Sequence, residues 1–169
     1  MSGLPETAVR HGTTQPLSRL KNILWYWVPA VAWMAMVLGA STDPFSAKNT
    51  GAILHAVLVW IFGHMNAATF GLVHFLVRKS AHFTEYAILS ALWFRAIRVH
   101  LSNLWRVRWA LVGLVVSLSV AILDEVHQSF VPSRTSSAHD VLLDFCGAFF
   151  AQLVIWYTLR RKELAAAET

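Results

Sequence analysis

Long apolar runs constrain the fold of this chain more than any other feature. Four of them occur, at about residues 22–40, 72–96, 109–131 and 140–159. A helix of about 20 apolar residues is long enough to cross a bilayer whose hydrocarbon core is roughly 30 Å thick. Only 14% of the residues are charged, whereas a water-soluble domain carries about 25%. The sequence therefore predicts an all-α fold, an integral membrane bundle of four transmembrane helices.

A shorter apolar stretch separates the first and second predicted spans. It covers residues 52–62 and follows the helix-breaking pair Asp43-Pro44. As a helix this stretch would be about 16 Å long, too short to cross the bilayer. Trp60 within it suits the level of the lipid headgroups. We therefore predict an additional interfacial or re-entrant helix at this position.

The polar ends of the chain flank one transmembrane domain. We predict a disordered cytoplasmic tail over residues 1–21, the transmembrane domain over 22–159 and a short cytoplasmic tail over 160–169. With four crossings, ten of the fourteen Lys and Arg residues lie on the same side of the membrane. The positive-inside rule assigns that side to the cytoplasm. The prediction is a multi-pass protein of the cell membrane with both termini in the cytoplasm.

Several other classes of protein are excluded by the same patterns. The net charge of +5 comes from short basic clusters between apolar runs, not from a basic stripe, so no nucleic-acid partner is expected. The letters of residues 124–127 match a helicase string, but no phosphate-binding GKT or GKS loop accompanies them.

The single Cys146 lies in an apolar run and is predicted to fill a small space in the core.

Ionisable residues within the predicted spans are the main functional signal. Charged groups at membrane depth are costly, so they pair, face the bundle interior or line a polar cavity. In the second span, His82 shares a face with Glu85 or Tyr86 one turn later. In the third span, Asp124 and Gln128 are four residues apart. With the stripe of Asp140 and Asp144 in the fourth span, these residues predict three polar stripes facing one another at the extracytoplasmic side.

This combination of residues favours acid–base or binding chemistry. Carboxylates near His and Lys can exchange protons, because burial and neighbouring charges separate their pKa values. We predict Asp124, Glu125 and His82 as the acid–base set. A His with several carboxylates could also hold a divalent cation, but no paired-His helical motif is present. No metal site is therefore predicted, and the sequence identifies no cofactor. The predicted ligand-binding residues are Lys79, Glu85, Tyr86, His127, Gln128, Arg134, Asp140 and Asp144.

A further local pattern marks the start of the fourth span. Ser137 is followed three residues later by Asp140, a spacing that resembles a helix-start capping pair.

Two blocks of the chain resemble VanZ-like membrane proteins. Residues 79–86 resemble that family's K-x-x-H-F-x-E-Y block, and residues 124–134 with Asp140, Val141 and Gly147 resemble its second block. The resemblance covers roughly residues 28–157. It implies a polytopic protein of the bacterial plasma membrane, in which the polar residues of both blocks form a shared site. The family's namesake is linked to reduced sensitivity to the glycopeptide antibiotic teicoplanin.

Three functions remain open at this point. In the first, the site binds or modifies a lipid headgroup or a cell-envelope glycolipid, and Arg134 and Lys79 hold an anionic group. In the second, the polar stripes form a proton or ion path or part of a transport element. In the third, the helices are a structural bundle that supports an envelope partner. The expected partners are membrane lipids and an envelope glycolipid precursor.

Overall fold

The fold is seen in a computed structural model. It describes the backbone of residues 14–40, 47–98, 105–131 and 137–168, and their side chains apart from those of 14–19 and 47–50. Arg134, which the sequence predicts to bind ligand, lies outside the described residues.

Five α-helices account for the regular structure of the described residues, and no strand occurs among them. They are α1 (Thr14–Ala40), α2 (Ala47–Phe62), α3 (Ala67–Ile97), α4 (Val107–Ser129) and α5 (Ala138–Ala167).

The lengths and hydropathies of these helices are those of a membrane bundle. Leu20–Ala40 within α1 and the whole of α4 and α5 are each long and apolar enough to cross a bilayer. The pair formed by α2 and α3 passes the same test when it is counted as one span, although the two helices are bent by 116°. The predicted all-α membrane bundle, with an extra helix between the first and second spans, is confirmed.

Local residue chemistry produces the sharp bend between α2 and α3. Gly63 has a φ of 76°, a left-handed conformation that glycine adopts without steric cost and that commonly ends a helix. Three residues later, the Asn66 side chain accepts a hydrogen bond of 2.8 Å from the Thr69 backbone N–H, which caps the start of α3. The short linker therefore ends one helix and starts the next in a new direction.

Helix α3 lies at the centre of the bundle, and α1 packs against it in antiparallel orientation. The Trp33 indole N–H donates to the Glu85 backbone carbonyl at 3.0 Å. Further along, the rings of Trp27 and Trp93 meet edge to face with centroids 5.6 Å apart. The contact positions run in opposite directions along the two helices, which fixes their relative orientation.

Helices α3 and α5 are parallel and approach each other most closely at Gly147. A Cβ atom at this position would overlap the Phe83 carbonyl oxygen and lie 2.9 Å from its carbonyl carbon. Small residues commonly permit such close backbone approach between membrane helices. Because Phe83 directly follows His82, this contact brings the polar faces of α3 and α5 together.

Helix α4 is antiparallel to both and completes the core. Tyr86, Leu89, Val120 and Ala121 form a buried cluster together with Val37 of α1. Large apolar side chains on the outer surface are exposed, among them Trp60, at 85%, and Phe130, at 79%. Such extensive apolar exposure suits a protein whose solvent is lipid.

Candidate functional site

Buried polar side chains collect where α4 ends and α5 begins, and α3 contributes the third side of the site. Asp144 and Gln128 are almost completely buried, at 0% and 1% exposure, and Asp124, Glu125 and Asp140 are also buried. We call this group of side chains the polar cluster, and its members are Lys79, His82, Tyr86, Asp124, Glu125, Gln128, Asp140 and Asp144.

The outer part of the polar cluster joins the three helices by charged interactions. Lys79 of α3 forms an ion pair with Asp140 in the first turn of α5. Glu125 of α4 accepts a hydrogen bond of 2.6 Å from the backbone N–H of Ser137. This N–H belongs to the residue that caps α5, so the carboxylate of Glu125 ties the end of α4 to the beginning of α5.

The capping of α5 differs in one partner from the pattern in the sequence. The Ser137 hydroxyl accepts a hydrogen bond of 3.2 Å from the His139 backbone N–H, as expected of an N-cap residue. In a capping box, the acidic residue three positions later would accept from the Ser137 N–H. Here Glu125 takes that role, and the Asp140 carboxylate pairs with Lys79 instead.

The inner part of the polar cluster lies one helical turn deeper and contains two carboxylates and an imidazole. His82 Nδ1 is 3.4 Å from Asp144 Oδ1, an ion-pair distance without hydrogen-bond geometry. Asp124 Oδ2 accepts a hydrogen bond of 2.9 Å from Gln128 Nε2. One potential ligand atom from each of His82, Asp124 and Asp144 lies within 4.8 Å of the others. These three residues come from three different helices.

Several buried polar atoms of the cluster have no hydrogen-bond partner. Both oxygens of Asp144 and one oxygen each of Asp124, Glu125 and Gln128 are in this state, as is the hydroxyl of Tyr86. A buried polar atom without a partner costs roughly 1–3 kcal/mol. Buried polar atoms of this kind are usually satisfied by ordered water, an ion or a bound molecule.

Most of the predicted site residues are brought together, with two exceptions among those described. Glu85 is half-buried beside the cluster and interacts electrostatically with His82. His127, predicted to bind ligand, is exposed on α4 and is not part of the buried cluster. Asp124 and Gln128 occupy the inward face of α4, whereas His127 is turned about 100° from Gln128 around the helix axis and is exposed.

Sequence reasoning overlooked a second polar layer, deeper in the bundle. Ser90, Ser117 and Gln152 are buried, and Gln152 Nε2 donates to Ser90 Oγ at 2.8 Å and to the Ser90 carbonyl oxygen at 3.1 Å. The spacing of these residues along the chain could have indicated this layer. Ser90 lies eight residues after His82, and Gln152 lies eight after Asp144, which places each pair on one helix face.

The prediction that Cys146 fills the core is wrong. The residue is exposed and lines a shallow apolar groove on the outside of the bundle, with neighbours Phe83, Phe145, Phe149, Phe150 and Leu153. In a membrane protein the lipid-facing surface is as apolar as the core, so an apolar sequence context does not indicate burial.

The fold and the polar cluster define a class: a polytopic helical membrane protein with a polar site enclosed by three of its helices. Comparison with known proteins then gives the family. The VanZ/LLP1 family model matches residues 26–160, so the chain belongs to the VanZ/LLP1 family, as the two sequence blocks predict. No curated protein and no solved structure matches the chain significantly.

Proposed function

We propose that the polar cluster binds the polar headgroup of a membrane lipid or cell-envelope glycolipid. The observation that carries this proposal is the set of buried, unpartnered oxygens on Asp124, Glu125, Gln128 and Asp144. These atoms lie near the ends of α4 and α5, where transmembrane helices reach the headgroup region of the bilayer. A headgroup at this level would lie beside these atoms while its acyl chains stay in the hydrocarbon.

The charges of the site favour a ligand rich in hydrogen-bond donors. Five carboxylates surround the site, and among the described residues only Lys79 and His82 add positive or titratable basic character. Lys79 is paired with Asp140, and Arg134, the other residue predicted to hold an anion, lies outside the described residues. Hydroxyl or amine groups, as on a sugar headgroup, match the acceptors better. The carboxylates are those of Glu85, Asp124, Glu125, Asp140 and Asp144.

The outer surface beside the cluster offers a place for the lipid's acyl chain. Phe83 and Phe145 directly follow His82 and Asp144 along their helices, and both line the apolar groove between α3 and α5. An acyl chain in this groove would keep its headgroup next to the polar cluster. The position of these groove residues next to His82 and Asp144 along the helices supports a lipid over a water-soluble ligand.

The distribution of basic residues supports access from the extracytoplasmic side. If the basic ends of α1, α3, α4 and α5 face the cytoplasm, the α4–α5 junction opens to the opposite side, where envelope glycolipids are assembled into the cell wall. A role in glycopeptide sensitivity belongs to the same proposal, because the family resemblance links VanZ-like proteins to teicoplanin. Binding is preferred over chemical modification, since the described members of the cluster include no Ser, Thr or Cys to act as a hydroxyl or thiol nucleophile.

Lipids that co-purify with the protein test this proposal. The Gln128→Leu variant removes one unpartnered acceptor and is expected to reduce a co-purifying glycolipid at least about fivefold, a loss of about 1 kcal/mol of binding. Mass spectrometry of the extracted lipids measures the change. The control is Gln152→Leu, which alters a buried glutamine in the deeper layer, outside the polar cluster. Equal lipid retention in both variants, or no enrichment over the bulk membrane, would contradict headgroup binding.

A proton path is the second candidate, and the deeper polar layer favours it. His82, Tyr86 and Ser90 follow one another at intervals of four residues on α3, and Ser117 and Gln152 face the same region from α4 and α5. Hydroxyl and imidazole groups in such a series can pass protons between neighbours. The polar residues of the bundle interior thus extend well beyond the outer cluster.

Proton flux into liposomes separates this candidate from lipid binding. In proteoliposomes with an imposed pH gradient, Tyr86→Phe is expected to slow proton entry about tenfold, because it removes the hydroxyl between His82 and Ser90 while keeping the buried ring. A pH-sensitive dye inside the vesicles reports the rate. Wild-type vesicles that are no more permeable than empty ones would exclude the proton path and leave headgroup binding as the proposal.

A further inference from the structure

Three potential metal ligands converge in the inner part of the polar cluster. One atom each of His82, Asp124 and Asp144 lies within 4.8 Å of the other two. Ligands around one divalent cation, each at about 2.0–2.2 Å from it, are separated by about 3–4 Å. Side-chain adjustments of up to about 1 Å would therefore bring the three atoms into one coordination sphere.

The inner part of the polar cluster contains two carboxylates and only one basic side chain. Asp144 is fully buried, and Asp124 is 3% exposed. The contact of His82 with Asp144 at 3.4 Å can neutralise at most one of the two carboxylates. A buried charge without a compensating partner is strongly destabilising. A divalent cation would neutralise both carboxylates at once.

Side chains around the three ligands provide a second, independent observation. Tyr86 is completely buried, its hydroxyl has no hydrogen-bond partner, and it interacts electrostatically with Asp124 and Asp144. Gln128 holds Asp124 Oδ2 through its amide, which leaves Asp124 Oδ1 without a partner. Metal ligands are commonly oriented by such surrounding hydrogen bonds. Tyr86 and Gln128 therefore surround the three potential ligands with buried polar groups of the kind that orient metal ligands.

We propose that His82, Asp124 and Asp144 bind one divalent transition-metal ion of the Zn²⁺ type. An imidazole with two carboxylates suits zinc, whereas Mg²⁺ and Ca²⁺ prefer oxygen ligands alone. Three protein ligands leave a coordination position open, as in zinc sites that bind a further molecule. The spacing along the sequence did not reveal this site because its ligands lie on three separate helices. The metal site shares Asp124 and Asp144 with the proposed headgroup site, and zinc content is measured separately from lipid retention.

Metal content of the purified full-length protein tests the proposal. Wild-type protein equilibrated with Zn²⁺ and dialysed is expected to retain one zinc per chain, measured by elemental mass spectrometry. Competition with a chromogenic chelator measures the affinity for zinc. This affinity should fall more than about 100-fold in Asp144→Asn and about 10–100-fold in Gln128→Ala. The matched control is Asp140→Asn, one turn away on the same helix, which should retain its zinc. Equal zinc content in wild type and Asp144→Asn would overturn the proposal.

A second experiment, in which a proposed ligand residue is replaced by cysteine, tests the proposal if Asp144→Asn fails to fold. In a Cys146→Ser background, His82→Cys places a thiol at a proposed ligand position, and added Co²⁺ should then give a thiolate-to-cobalt absorption band. The control is His64→Cys in the same background, at an exposed histidine, where no band is expected. A band of equal intensity in both proteins, or in neither, would show that His82 is not a metal ligand.

Discussion

Gly147→Ala is expected to prevent α3 and α5 from packing and to destabilise the bundle by more than about 3 kcal/mol. The added methyl group would overlap the Phe83 carbonyl oxygen, and a backbone atom cannot move aside as a flexible side chain can. Overfilling a core usually costs about 1–3 kcal/mol, and separating two helices costs more. Unfolding in mixed detergent and SDS micelles measures the loss.

The intrinsic helix preference of alanine makes this result diagnostic. Alanine stabilises a helix by about 1 kcal/mol relative to glycine, so any destabilisation must arise from packing. The matched control is Gly71→Ala in α3, where a new Cβ atom would meet nothing within 4 Å. This control is expected to unfold at the wild-type SDS concentration or slightly above it. A Gly147→Ala protein as stable as Gly71→Ala would contradict the close contact of α3 with α5.

Lys79→Met should produce the second large effect, because it leaves the Asp140 carboxylate buried without its cation. Removing one partner of a fully buried pair costs about 3–5 kcal/mol. Lys79 is 27% exposed at its side chain, so we expect a smaller loss of about 1–3 kcal/mol, since solvent screens part of the charge. The free energy of unfolding in SDS-containing micelles is the measurement.

A double-mutant cycle isolates the interaction of Lys79 with Asp140. The double variant Lys79→Met/Asp140→Asn removes both charges and is expected to be more stable than Lys79→Met alone, because no unpaired carboxylate remains. Arg160→Ala serves as a comparison, since its ion pair with Glu163 is exposed and should change stability by less than about 0.5 kcal/mol. Strictly additive single effects would show that the two residues do not interact.

The membrane helices were predictable from the sequence because their signal is local. An apolar run of about 20 residues specifies a helix across a bilayer whatever its neighbours are, since every backbone polar group must be bonded within the segment. The structure places helices at each of the four predicted spans. The bend after α2 also has local causes in Gly63 and Asn66, because backbone conformation and capping depend on residues close in sequence.

The partners of the polar residues could not be predicted in the same way. Adjacent carboxylates have different roles, since Glu125 caps α5 and Asp124 faces Gln128 and the inner part of the cluster. Sequence spacing could not separate these roles, because they depend on the helix that each side chain meets. His127 and Cys146 show the same limit: both are exposed, and apolar flanking residues do not distinguish a lipid-facing surface from a core.

The sequence by itself determined that this chain is a helical membrane protein of the VanZ-like type, and it named most of the polar cluster. Only the tertiary structure decided how that cluster is built. The parallel contact of α3 with α5 at Gly147 brings His82 beside Asp144, 62 residues away, and Lys79 beside Asp140, 61 residues away. Distances between residues so far apart depend on helix packing, which is set by the shape of the contacting surfaces and not by any local pattern.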